Sequence, residues 1–255
     1  MADQLRELVA DWSAPAYKSV SLEGVRVFYG RQPVLTELKL RFESGTATAL
    51  MGANGAGKST ILKVLSTLLP VDAGEVLAGD SLNYRSHREL LRPTIGLVAH
   101  EPMLYGDLSA RENLRLWAEL YGLRDDAKVD AWLNAIELSD TQNRPVSSFS
   151  RGMKQRLAVA RAMLHEPTLV LFDEVLTGLD FASRRTIWTL LEALRDAGRI
   201  TVLATHVFEH PTASVCRGVV LRNGRITVDA PASEGLLELY TKGASARPRR
   251  GEVSG

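Results

Sequence analysis

The stretch "TATALMGANGAGKST", residues 46–60, decides the fold. A strand-like run, 46–51, passes without a break into Gly52-Ala53-Asn54-Gly55-Ala56-Gly57-Lys58-Ser59, and a helix over 58–68 is expected to follow. A G-x-x-x-x-G-K-[ST] run between a strand and a helix is a phosphate-binding loop. Its glycines let backbone N–H groups converge on phosphate oxygens, and the helix N-terminus adds partial positive charge. Lys58 is placed to reach β- and γ-phosphates and Ser59 to ligate Mg²⁺, with Thr60 beside them at the opening of the helix.

Further strands surround this loop. "TLVLFD" at 168–173 and "ITVLAT" at 200–205 are continuous apolar runs separated by a helix over 181–197, the alternation of a parallel sheet with helices on both faces. The first run ends in Asp173 and Glu174. Carboxyl ends of parallel strands face the ligand crevice, and burying two adjacent unpaired carboxylates is strongly unfavourable. Asp173 is therefore read as a Mg²⁺ ligand and Glu174 as the residue acting on water. "TIGLVA", 94–99, is a further strand.

Upstream, "SVSLEGVRVFY" (19–29) and "VLTELKLRFE" (34–43) read as strands. Downstream, "RGVVLR" and "RITVDA" flank Asn223-Gly224, a favoured hairpin turn. Residues 109–164 instead read as consecutive helices: one opened by a capping box of Ser109 and Glu112, one over 126–138, and one beginning at Ser150. At the N-terminus Leu5, Leu8, Val9 and Trp12 share one helical face, expected to dock on its own domain. Its polar face is acidic, unlike helices that lie on anionic lipid. The tail "GASARPRRGEVSG" is expected to be disordered.

The 255 residues suffice for one large domain with a core of its own. With 31 basic and 30 acidic residues and a net charge of +1, nothing suggests a phosphate-tracking face, so nucleic acid is not expected as a partner. Apolar runs are strand-length, well short of a membrane span, and any membrane role needs another subunit. Cys216, the single cysteine, and an N-terminus without secretory features fit the cytoplasm.

"GANGAGKST", "SRGMKQRLAVARAM", "LVLFDE", "TGLD" and "THV" occur in the order and approximate spacing of ATP-binding cassette (ABC) ATPases, a resemblance covering about residues 20–230. It implies an α/β fold: a P-loop NTPase core with a mostly parallel sheet, an antiparallel β portion and an inserted helical subdomain. The corresponding expectation is an N-terminal extension (1–19), an ATPase domain (20–243) with the helical subdomain at about 100–164, and a tail (244–255).

The resemblance also implies roles. Tyr29 is similar to the aromatic that stacks on adenine, and His206 to the switch histidine at the γ-phosphate. Thr177-Gly178-Leu179-Asp180 is similar to a loop linking two sites. Ser150 and Gly152 open the signature helix, which in such ATPases faces ATP held by the other subunit of a head-to-tail dimer. ATP and Mg²⁺ are the implied cofactors. A second cassette, most simply another copy of this chain, and an integral membrane permease are the implied partners. Activity is then ATP hydrolysis coupled to transport, at the inner face of the membrane. A soluble non-transport ABC ATPase and a catalytically silent regulatory cassette are the alternatives.

Three positions depart from the family pattern. His100 stands where Gln usually meets Mg²⁺ and water; imidazoles as a class change charge near neutral pH, so activity is expected to fall on acidification. Arg151 replaces a glycine in "FSRGM" and is expected to add positive charge near phosphate. Val175 stands where proline is common. His100 together with the variant signature is similar to ATPase subunits of exporters, including those for haem, drugs and polysaccharides.

Overall fold

The computed structural model describes residues 2–124, 126–208 and 214–245. Helix α1 (Ala2–Ala10) precedes β1 (Ser19–Tyr29), β2 (Gln32–Glu43) and β3 (Thr46–Met51). The chain continues through α2 (Lys58–Leu65), β4 (Ala73–Ala78), β5 (Leu82–Asn83), α3 (Arg88–Leu91) and β6 (Ile95–Val98). A helical insert follows, made of α4 (Ala110–Leu120), α5 (Asp126–Ala135) and α6 (Arg151–Met163). Then come β7 (Leu169–Asp173), α7 (Phe181–Asp196), β8 (Ile200–Ala204), β9 (Arg217–Arg222), β10 (Arg225–Pro231) and α8 (Leu236–Ser245).

Two sheets form. The larger has the order β10-β9-β3-β8-β7-β6, parallel except for the β9–β10 hairpin. All five residues of β8 are buried, as in β7 up to Phe172, because helices cover both faces. The smaller sheet, β2-β1-β4-β5, is antiparallel, and β2 alternates buried and exposed positions because one of its faces meets solvent.

Two apolar cores result. One fills the space between the two sheets and under α2, around Phe42, Leu50, Ile61 and Leu171. The other packs the opposite face of the large sheet against α7, the insert and α1, around Trp132, Leu157, Phe172 and Leu191.

Helix α5 ends at Ala135 rather than 138, and two further helices differ from the sequence reading. Helix α2 stops at Leu65 rather than 68, because Thr67 takes φ 61° and the N–H groups of Leu68 and Leu69 both turn back to Lys63 O. The chain expected to be disordered from Gly243 is still helical there: α8 runs through Ser245. A Cβ at Gly243 would stand 2.5 Å from Val220 Cγ1, so glycine is what lets α8 close on β9. Residues 246–255 of the expected tail lie outside the described residues.

Candidate nucleotide-binding site

The loop after β3 is fixed at both ends by glycines in conformations that L side chains avoid. Gly52 has φ 156°, and a Cβ there would lie 2.5 Å from Leu221 O on β9. Gly57 precedes α2 with φ 111°, and its Cβ would meet Leu35 Cδ2 at 2.7 Å. Ala53, Asn54 and Gly55 face solvent while Ala56 is buried. The β9–β10 turn braces the loop: Gly224 N donates to Ala56 O at 3.1 Å, and Thr36 N donates to Gly224 O at 3.1 Å. Lys58 is only 5 % exposed, and its ammonium donates to Gly52 O (2.7 Å) and Ala53 O (3.2 Å) across the loop mouth. Ser59 is exposed beside it, and Thr60 is buried in the helix.

Register brings the other groups to the same edge. Leu50 of β3 and Asp173 of β7 both pair with Ala204 of β8, so the three carboxyl ends lie side by side. Ser59 Oγ donates to Asp173 Oδ1 at 3.1 Å. Glu174 takes the left-handed φ of 52° and donates its N–H to Ala204 O at 3.0 Å. Its carboxylate Oε1 lies 4.0 Å from Lys58 Nζ and 3.8 Å from His206 Nδ1. On its far side the His206 ring lies 3.4 Å from Thr177 Oγ1.

Burial holds the Asp173 carboxyl above its ordinary range. The Ser59 hydroxyl opposes that shift, Glu174 adds to it, and His100 and Lys58 reduce it. A hydroxyl and a carboxylate in contact are suitable donors for Mg²⁺. Among the described residues no group of three or more His, Cys, Asp or Glu is arranged to hold a metal. His100, exposed beyond β6, is near enough for its charge to act on Asp173.

The signature residues form a second group. Ser150 is exposed and caps α6, accepting from Met153 N at 3.3 Å. Asp180 caps α7, accepting from Ser183 N at 2.7 Å, and a Cβ on Gly152 would lie 3.0 Å from Ser183 Oγ, so the two helix starts abut. No hydrogen bond joins Ser150 or Gly152 to the loop at 52–57 among the described residues. Tyr29 ends β1 at 48 % exposure, free of the core.

A model of the family described as ABC transporter matches residues 35–177. The chain belongs to the ABC transporter family. The cassette is 34% identical over 220 residues to the daunorubicin resistance ATP-binding protein DrrA3 of Streptomyces coeruleorubidus, across 85% of this chain and 69% of that one. It is 32% identical over 206 residues to the ABC transporter ATP-binding protein NatA of Bacillus subtilis (strain 168), across 79% of this chain and 83% of the relative. Among solved structures, an ATP-binding subunit of an ABC transporter superposes with a TM-score of 0.80 at 26% identity, covering 89% of this chain and 99% of that chain. The cassette is accordingly an ABC ATPase with the P-loop NTPase α/β fold.

Two features of the cassette differ from or go beyond the sequence reading. Arg151 does not stand free toward a phosphate: its guanidinium donates to Thr177 O at 2.9 Å and covers Gly178, fastening the signature start to the loop after Glu174. Asn113, fully buried, braces the loop after His100. Its amide accepts from Tyr105 N and donates to the carbonyls of Tyr105, Leu108 and Ser109. Only its place one residue after the capping-box glutamate hinted at such a role.

Proposed function

We propose that two copies of this cassette bind ATP and Mg²⁺ between them, hydrolyse the nucleotide, and drive a separate membrane permease at the inner face of the membrane, in the direction of export. The supporting observation is the convergence of Lys58, Ser59, Asp173, Glu174 and His206 at the ends of β3, β7 and β8. A relative named as a Nod factor export ATP-binding protein, beside the daunorubicin resistance relative, supports an export role. Among the described residues no helix is long and apolar enough to cross a membrane; in this reading the membrane path is supplied by a partner subunit.

The backbone N–H groups of 52–58 cradle the triphosphate, Lys58 turns from Gly52 O and Ala53 O to the β- and γ-phosphates, and Tyr29 stacks on the adenine. Ser59, Asp173 and His100 would hold Mg²⁺, which would supply charge neutralisation at the phosphate oxygens. Glu174 accepts the proton of a water whose oxygen attacks the γ-phosphorus as the bond to the β–γ bridging oxygen breaks. His206 donates to the γ-phosphate. Ser150, Gly152 and Asp180 of the second copy complete the enclosure from the far side.

Glu174→Gln is the test. It keeps the shape and Lys58, so it retains ATP while losing the base. Turnover should fall by about 10²–10³, or about 3–4 kcal/mol, and Mg-ATP should convert it from monomer to dimer in sedimentation experiments. A variant that remains monomeric when saturated with Mg-ATP, both free and with its permease, would overturn the proposal.

A further inference from the structure

Residues 2–16 touch both halves of the molecule. Leu5 and Val9 of α1 are fully buried and Trp12 nearly so, in one core with residues of α5, which belongs to the helical insert, and of α7, which belongs to the ATPase core. Trp12 is the meeting point. Its ring lies 6.4 Å from that of Trp132 on α5, tilted by 53°, and the guanidinium of Arg199, just before β8, sits 5.1 Å from its centre.

Polar contacts fasten the same segment. Arg6 pairs with Glu192 of α7 at 2.8 Å. Arg199 donates to Ser13 O, and Ala16 N donates to Thr168 Oγ1 at 2.9 Å, both contacts on the core. Ser13 N donates to Glu166, the carboxylate that also pairs with Lys128 of α5. Glu166 is thus shared between the segment and the insert.

Subdomains joined by connecting segments move relative to one another unless a substantial apolar interface restrains them. Here α1 and Trp12 supply apolar surface to both sides at once. The insert carries α6, whose exposed Ser150 is the residue offered to the second copy. The orientation of the insert therefore sets where Ser150 points.

We propose that residues 2–16 are an intramolecular strap holding the insert in the orientation that presents Ser150, and that Trp12 is its positioning residue. This rests on the two-copy reading above for its effect on turnover, but not for its effect on shape. Loosening the strap spreads the insert over more orientations, so the competent fraction falls while nucleotide binding by the loop at 52–60 does not change.

The test places spin labels at Lys63→Cys on α2 and Asn134→Cys on α5, both exposed positions, in a Cys216→Ser background, and measures the distance distribution between them. Unaltered residues 2–16 should give one narrow distribution; Trp12→Ala and the milder Val9→Ala should broaden it, and Trp12→Phe should keep it narrow. With Mg-ATP and the permease, Trp12→Ala should lower kcat by about three- to tenfold with nucleotide Kd unchanged. Circular dichroism identifies variants that are folded. Distributions in folded Trp12→Ala and Val9→Ala that superpose on the parent's would overturn the strap. Broadening without any change in kcat would overturn its link to turnover. A parent that never dimerises on ATP would sink the two-copy reading and leave the distance result standing.

Discussion

At the scale of single residues, conformation as well as chemistry selects what stands in the loop. Gly52 and Gly55 look alike in the motif, yet their surroundings differ. A Cβ on Gly52 meets backbone, Leu221 O at 2.5 Å, whereas a Cβ on Gly55 (φ 76°) meets nothing within 4 Å. Gly55→Ala should then cost only its left-handed conformation, about 1 kcal/mol. Gly52→Ala must also move β9 or the loop, for a total of about 2–4 kcal/mol. At about 2–4 °C per kcal/mol for a chain of this size, calorimetry resolves the two. Gly52→Ala should also lose more than tenfold in affinity for a fluorescent ATP analogue, through displacement of the Gly52 carbonyl that lies against Lys58; equal effects of the two substitutions would refute the distinction. Glu174 shows the same coupling of backbone and chemistry in a residue that is not glycine. Its φ of 52° goes with a carboxylate that lies beside Lys58 and His206. The sequence reading found both carboxylates because their types and position speak locally, but not that turn, which depends on Ala204 accepting the Glu174 N–H.

At the scale of elements, legibility followed how much of an element's reason lies within itself. β3, β7 and β8 are apolar runs with clear ends, and α4 announces itself through a capping box that the structure contains in full. Helix α8 was missed because Gly243 and Ser245 are poor helix formers, and the reason for Gly243 is Val220, more than twenty residues away. β4 and β5 are short and carry a glycine, Gly74, packed on the carbonyls of Glu23 and Gly24, a contact that only the folded sheet reveals.

The seam between the insert and β6 is another long-range construction, and it carries a pH signature. His165, just after α6, stacks on Tyr121 at the end of α4, 3.9 Å between ring centres, and lies 3.1 Å from Ile95 O of β6. Burial pushes its imidazole down to about 4; the bond to Ile95 O opposes this, Arg161 and Lys128 lower it further, and Glu166 raises it. An ordinary histidine in the unfolded chain titrates near 6.5. Between those values the unfolded chain holds a proton that the folded chain does not, so stability drops as pH falls through that window. The slope from this one group is about 1.4 kcal/mol per pH unit, and above about 6.5 it contributes no pH dependence. His165→Gln keeps a donor for Ile95 O without the titration. Urea unfolding at pH 6.5 and 5.0 should show wild type losing about 1–2 kcal/mol more than the variant. Parallel losses in the two proteins would remove His165 as the cause.

At the scale of the whole molecule, the proposed two-copy arrangement has the two groups of site residues face different nucleotides. Lys58, Asp173, Glu174 and His206 gather around the loop of their own chain, while Ser150 is exposed and, among the described residues, bonded within its own helix start. A head-to-tail dimer joins the loop of one copy to the Ser150 of the other, and mixing two inactive variants distinguishes this from a site made within one chain. Lys58→Ala removes the loop's cation, and Ser150→Arg blocks the signature surface without touching the loop. Alone, each variant assembles dimers in which both sites are damaged. In a mixed dimer one site collects both lesions, and the other pairs an intact Lys58 with an intact Ser150. Random assortment makes about half the dimers mixed, each with one whole site, so an equimolar mixture should recover about a quarter of wild-type ATPase if sites act independently. Sites completed within a single chain would give a mixture no more active than the average of its parents, because no copy then holds both intact residues.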